Sequence, residues 1–139
     1  MKIIRSESDF AHVADFQATI PEFASCCDDP HDILFRGDHF GGVVLEARVD
    51  NHCAGVLFGY PTRAHTWYNH ITAVVPKFRG CGVGSALLDA FAQEATQAGA
   101  TTLFVKSKNC FPSMIRLLVK KEYAIIGMEK EKILFEKIL

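Results

Sequence analysis

The hydrophobic positions change their spacing several times along the chain, and each change marks an element. Ile3 to Arg5 is a short apolar entry. Ser6 and Ser8 follow as N-cap candidates for a helix over Asp9 to Thr19, where Phe10, Val13, Ala14 and Phe16 fall near helical spacing. Pro21 opens a second short helical piece, Glu22 to Cys27, and Asp28-Asp29-Pro30-His31-Asp32 reads as a break. Val43 to Val49 is apolar and β-branched, Asp50-Asn51-His52 has turn chemistry, and Cys53 to Tyr60 resumes the apolar run, which makes a hairpin. Pro61 to His65 turns the chain into a third strand, Thr66 to Val75, ending at Pro76.

The period then becomes helical. From Gly82 to Ala98, residues Val83, Ala86, Leu87, Leu88, Phe91, Ala92 and Ala95 share a broad face, Ser85, Asp89, Gln93 and Glu94 lie opposite, and Gly99 stands where a C-cap belongs. A buried strand at Thr101 to Val105 follows, then an amphipathic helix from Pro112 to Lys121, then a closing hairpin of Tyr123 to Met128 and Ile133 to Leu139. The order β-α-α-β-β-β-α-β-α-β-β predicts an α/β fold, a mixed sheet with helices on its faces.

Length and composition narrow the class. At 139 residues the expectation is one domain over 1–139. Hydrophobic residues make up 49% and charged residues 22%, the usage of a globular chain rather than a disordered one. A net charge of −1 supplies no global field for nucleic acid or anionic lipid, so neither is an expected partner. No apolar run reaches the ~18–20 residues of a membrane helix, and the first residues do not read as a signal peptide, so residence in the cytoplasm is expected. All five cysteines read as reduced thiols, and no ligand spacing suggests a metal.

Chemistry concentrates in Pro76-Lys77-Phe78-Arg79-Gly80-Cys81-Gly82-Val83-Gly84. Glycines at 80, 82 and 84 let the backbone turn its amides outward, and the helix that follows adds the positive end of its dipole; together these suit a pyrophosphate, with Arg79 as a full charge at the rim. A P-loop is excluded because no lysine stands at the helix start, and a dinucleotide fold because the third glycine and the acidic residue are missing. A glycine turn without a ligand remains the alternative.

The stretch from Val74 to Leu88, with Arg79-Gly80-Cys81-Gly82-Val83-Gly84 at its centre, resembles motif A of the GCN5-related N-acetyltransferases. The likeness extends through Leu103-Phe104-Val105, Asn109, the Met114–Leu118 helix and the closing hairpin. It implies acetyl-CoA as the acyl donor, with coenzyme A as product and a small-molecule or peptide amine as acceptor. The pyrophosphate would sit on the amides of Arg79, Gly80, Cys81, Gly82, Val83, Gly84 and Ser85. The pantetheine arm would run beside Ala73, Val74 and Val75 where two strands splay, and Asn109 would contact that arm. Val74 N–H would stabilise the oxyanion.

An alkylammonium of pKa ~10.4 must lose a proton before it attacks, so a base is needed. Phe104 stands where some relatives carry a glutamate, and Leu118 where many carry an acidic tyrosine. His70 in the motif A strand is the candidate base, against an ordinary strand histidine; Tyr68, His65 and Glu46 are weaker candidates. Cys110 or Ser113 could replace the missing acid. Asp28, Asp29, Asp32 and Asp38 either attract a cationic acceptor or form a solvated loop, and Lys106 or Lys108 could meet the 3′-phosphate. Direct transfer without a metal is expected, a non-catalytic acyl-CoA sensor is the rival reading, and a homodimer through the C-terminal hairpin is possible in this family.

Overall fold

The computed structural model describes residues 1–6, 11–23, 30–108 and 111–139. The order is β1 (Lys2–Arg5), α1 (Ala11–Ala18), α2 (Pro30–Phe40), β2 (Val43–Val49), β3 (His52–Arg63), β4 (Thr66–Val74), α3 (Val83–Gln97), β5 (Thr102–Lys108), α4 (Pro112–Lys120), β6 (Ala124–Glu129) and β7 (Lys132–Ile138), with short 3₁₀ turns at Pro21–Phe23 and Pro76–Phe78. The seven strands form one sheet in the order β1-β2-β3-β4-β5-β7-β6. Among the described residues, β4 and β5 alone pair in parallel, and the other neighbours are antiparallel. The predicted mixed α/β fold and its element order are therefore observed. No helix among the described residues is long and apolar enough to cross a membrane.

Two apolar clusters cover the two faces. On one, Val83, Leu87, Leu88, Phe91 and Ala95 of α3 pack with Leu118 of α4 onto Leu45, Leu57, Leu103 and Phe135. On the other, Val13, Ala14 and Phe16 of α1 and Ile33 of α2 cover Val44, Val56, Phe58, Tyr60, Ile71 and Ala73. Helix α3 behaves as its pattern predicts: Gly99 takes φ +91°, Ala100 N–H donates to Ala95 O at 2.9 Å and Gly99 N–H to Thr96 O at 3.0 Å, a Schellman closure.

Two predicted segments need correction. Of the helical piece expected at Glu22 to Cys27, Pro21–Phe23 is a 3₁₀ turn and 24–27 lie outside the described residues, while the break expected through Asp32 gives way to α2, which starts at Pro30. A proline has no N–H to waste in a first turn, so a residue read as a breaker begins the helix. Strand β3 runs through Pro61, which pairs with Trp67, and the real turn is at Ala64-His65, where His65 has φ +61°. The strand tolerates Pro61 because Thr62 is an extra residue opposite Trp67 and Thr66, so the ladder is already interrupted there.

Candidate active site

The β4–β5 ladder stops early. Pairing runs from Thr66↔Thr102 to Asn69↔Val105, after which β5 continues to Lys108 only against β7. At that level β4 carries a bulge: Phe58 faces Ile71 and Gly59 faces Asn69, so His70 is the extra residue. A bulge bends and twists its strand, and β4 leaves β5 there. The gap opens into a cavity of about 1330 Å³, lined by Tyr60, Tyr68, His70, Thr72, Val74, Phe104 and the turn around Gly82.

Backbone polarity along the gap follows from the ladder. Val75 N–H donates to Ala54 O at 2.9 Å, which makes 54/75 a hydrogen-bonded pair. By alternation Ala73 also spends its backbone on β3, opposite Val56, whereas Thr72 and Val74 direct theirs toward the gap. Of the three strand residues expected at the arm, Val74 alone offers its main chain; Ala73 and Val75 offer only side chains on the α1–α2 face. Thr72, which the sequence reading passed over, is the second residue with the required orientation, and only the pairing register reveals it.

The glycine turn closes one end of the cavity. Gly80 (φ +77°) and Gly82 (φ +83°) are left-handed, and a Cβ built on either meets no atom within 4 Å. Gly82 is the N-cap of α3 without a side-chain cap, and the first helical bond comes only at Ala86 N–H to Gly82 O, 3.0 Å. The N–H groups that begin a helix have no partner within it, so this end of the cavity presents main-chain donors at the positive end of the α3 dipole. Gly84 packs closely under α4, since a Cβ there would lie 3.0 Å from Leu117 Cδ2 and that side chain would have to give slightly. Cys81 is exposed, with its thiol directed to Arg79 O at 3.7 Å.

Arg79 is engaged otherwise than expected. Its N–H bonds to Pro76 O at 3.2 Å, so it is not one of the free amides of the turn. Its guanidinium holds both carboxylate oxygens of Glu22, at 2.6 and 2.7 Å, and Nε donates to Val74 O at 3.1 Å. The hydrogen bonds from Arg79 lower the Glu22 pKa from 4.5 to about 2. No spacing rule links residues 22 and 79.

His70 lines the cavity with a fixed ring. Tyr60 Oη lies 2.8 Å from His70 Nδ1 and accepts a hydrogen bond from Arg36 Nη1 at 2.7 Å, while Arg36 Nε spans both carboxylate oxygens of Asp32 at 3.0 and 3.1 Å. Arg36 can only donate, so Tyr60 is oriented from one side and orients His70 on the other. Tyr60 and Arg36 carried no motif. Phe104 sits against Tyr68 with ring centroids 5.8 Å apart and contributes no carboxylate.

The remaining candidates disperse. Leu118 is fully buried in the core rather than turned to the cavity, and Ser113 and Leu117 line the wall instead. Tyr123 is buried among the same core residues, and that burial, with Asp89 nearby, drives its pKa far upward. His65 bonds Gly99 O at 3.3 Å, away from the cavity, and Glu46 lies under α1 with His12 and Arg48. Asp32 is paired with Arg36 and Asp38 is exposed, while Lys106 and Lys108 both line the cavity and Lys106 reaches Glu129 at 3.3 Å. Asn109, Cys110, Asp28 and Asp29 lie outside the described residues.

Comparison with known proteins agrees with this fold. No curated protein matches the chain. A GNAT-family acetyltransferase of Staphylococcus aureus superposes with a TM-score of 0.84 at 14% identity, covering 99% of this chain and 98% of that one. The PaiA N-acetyltransferase of Thermoplasma acidophilum, solved with coenzyme A, gives 0.78 at 11% identity with full coverage of both chains. An acetyltransferase of Bacillus subtilis, also solved with CoA, gives 0.78 at 18% over 99% and 98%. The profile of the acetyltransferase (GNAT) family matches residues 9–121, and the chain belongs to that family.

Proposed function

We propose that the protein is an acetyl-CoA-dependent N-acetyltransferase that moves the acetyl group directly onto a primary amine in a ternary complex. The observation that carries this reading is the meeting, in one cavity, of an uncapped glycine turn, a strand edge that has left its parallel neighbour and an oriented histidine. The diphosphate is held by the main-chain N–H groups from Gly80 to Ser85. The pantetheine amides pair with Thr72 and Val74 as an added strand would. Val74 N–H then donates to the carbonyl oxygen as it gains charge in the tetrahedral intermediate.

His70 takes the proton of the attacking ammonium, directly or through a water, while Tyr60 holds its Nδ1 side. The carbon–sulfur bond breaks as the intermediate collapses, and CoA leaves as a thiolate. A thiol of pKa ~8.5 is a tolerable leaving group, which fits a wall with Leu117 and Ser113 where an acid would stand. The test is release of free CoA thiol from acetyl-CoA, followed with a chromogenic thiol reagent across amino acids, polyamines and short peptides. Amine-dependent release that falls in His70→Ala supports the reading. Phe104 and the burial of Leu118 favour a second reading, an acyl-CoA sensor, which predicts tight CoA binding with no thiol release from any amine.

A further inference from the structure

On the α1–α2 face of the sheet, outside the cavity, three chemically different donors converge. His12 Nε2 of α1, the Glu46 carboxylate of β2 and Cys53 Sγ of β3 all lie within 4.8 Å of one another. His12 Nε2 is 3.2 Å from Glu46 Oε1. None of the three lines the acyl-transfer cavity. We propose that His12, Glu46 and Cys53 form a binding site for a zinc-type divalent cation, with water in the fourth position.

The convergence has a specific structural cause. Ala47 faces Gly55 and Arg48 faces Cys53, so Ala54 is an extra residue in β3. In a regular strand Ala54 would share a face with Val56. Instead Ala54 packs in the α3-side cluster and Cys53 is turned to the α1 side, beside Glu46. Bulges re-aim side chains in this way.

Glu46 supplies the second observation. It is 3% exposed, yet its Oε2 has no hydrogen-bond partner. The contact it has there is an ion pair with Arg48 Nη2 at 3.2 Å, and that guanidinium is itself half in solvent and bonds Asn51 O at 3.3 Å. A carboxylate oxygen taken out of water and held by one ion pair without a hydrogen bond is incompletely satisfied, and a directly bound cation completes it.

The donor set selects the ion. Imidazole, carboxylate and thiolate together suit zinc better than calcium or magnesium, which take oxygen ligands. A neutral His12, an ionised Glu46 and a thiolate at Cys53 balance the two charges of the cation. The Cys53 thiol is held above its ordinary pKa by burial and by the Glu46 charge, so without metal it keeps its proton. On binding, the S–H proton goes to solvent and a metal–sulfur bond replaces it. Zinc bonds of ~2.0–2.3 Å place neighbouring donor atoms ~3–4 Å apart, so closure needs a side-chain shift of about 1 Å. His12, 37% exposed at its side chain, gives the ion a way in.

The test uses the full chain and the metal alone. One equivalent of Zn²⁺ is expected to protect Cys53 from iodoacetamide, read by peptide mass spectrometry, while Cys81 stays reactive. Co²⁺ is expected to give a thiolate-to-metal charge-transfer band that disappears in Cys53→Ser and persists in Cys81→Ser, with circular dichroism confirming that both variants fold. His12→Ala and Glu46→Gln should each weaken binding at least about tenfold. Unchanged alkylation of Cys53 in the unaltered chain, or a cobalt band that survives Cys53→Ser, overturns the assignment.

Discussion

Gly82→Ala separates the backbone demand of the glycine turn from its demand for ligand space. Gly82 sits at φ +83°, and an alanine forced into that left-handed conformation costs about 1 kcal/mol, which in a chain this size lowers Tm by about 4 °C. No atom lies within 4 Å of the added methyl, so steric collapse contributes nothing. The methyl does occupy the open space in front of the α3 N-terminus, where a diphosphate would approach. Losing one charge-assisted hydrogen bond of ~1.5–3 kcal/mol weakens CoA binding ~10–100-fold.

Gly99→Ala is the internal control. It lies at the other end of the same helix with φ +91°, again with no atom within 4 Å, so it pays the same conformational cost away from the ligand. Both variants are measured by differential scanning calorimetry and by titration calorimetry with CoA. Both should lose similar thermal stability, while Gly99→Ala keeps its CoA affinity within about twofold. If Gly82→Ala binds CoA as tightly as the unaltered protein, the diphosphate does not rest on this turn.

Glu22→Gln tests the carboxylate that Arg79 holds at a pKa of about 2 against 4.5 when free. A depressed folded pKa stabilises above the unfolded value and is lost as pH falls toward 2, so the variant's deficit should be greatest at neutral pH and vanish in acid. For a pair this exposed the deficit is ~0.2–1 kcal/mol in urea titrations, and the freed Arg79 should tighten CoA binding. His70→Gln should lower kcat by ~10²–10⁴ while CoA affinity in calorimetry is retained; an equal loss of binding would make His70 a structural residue. Gly59→Ala drives a Cβ to 2.4 Å from Phe91 Cε2 and 2.8 Å from Tyr68 O, so unfolding experiments should register a loss of ~1–3 kcal/mol or more.

What could be read in the sequence was whatever local chemistry decides. The α3 face, its Gly99 terminus and the glycine turn depend on neighbours within a few residues, and they appear where the pattern puts them. Helix α2 was obscured because Pro30 reads as a breaker and Gly37 weakens the periodicity, although the helix is held by Asp32–Arg36 and by Ile33 packed against the sheet. The site depended more on distance in sequence. His70 was visible as a residue, but its partners Tyr60 and Arg36 arrive from two other elements. Thr72 could not be preferred over Ala73 without the register, because identical backbones differ only in which neighbour they face. The Arg79–Glu22 pair spans 57 positions and obeys no periodicity.

Two of the irregularities in this sheet lie along β3, one at Ala54 and one opposite His70. Each is a single surplus residue, and each sets which side of the sheet a reactive group faces. Natural variation that removes one residue near either point would therefore leave the hydrophobic alternation of the neighbouring strands intact and still rotate a thiol or an imidazole out of its setting. Gap placement in alignments of this chain matters more at those two positions than the identity of the residues around them.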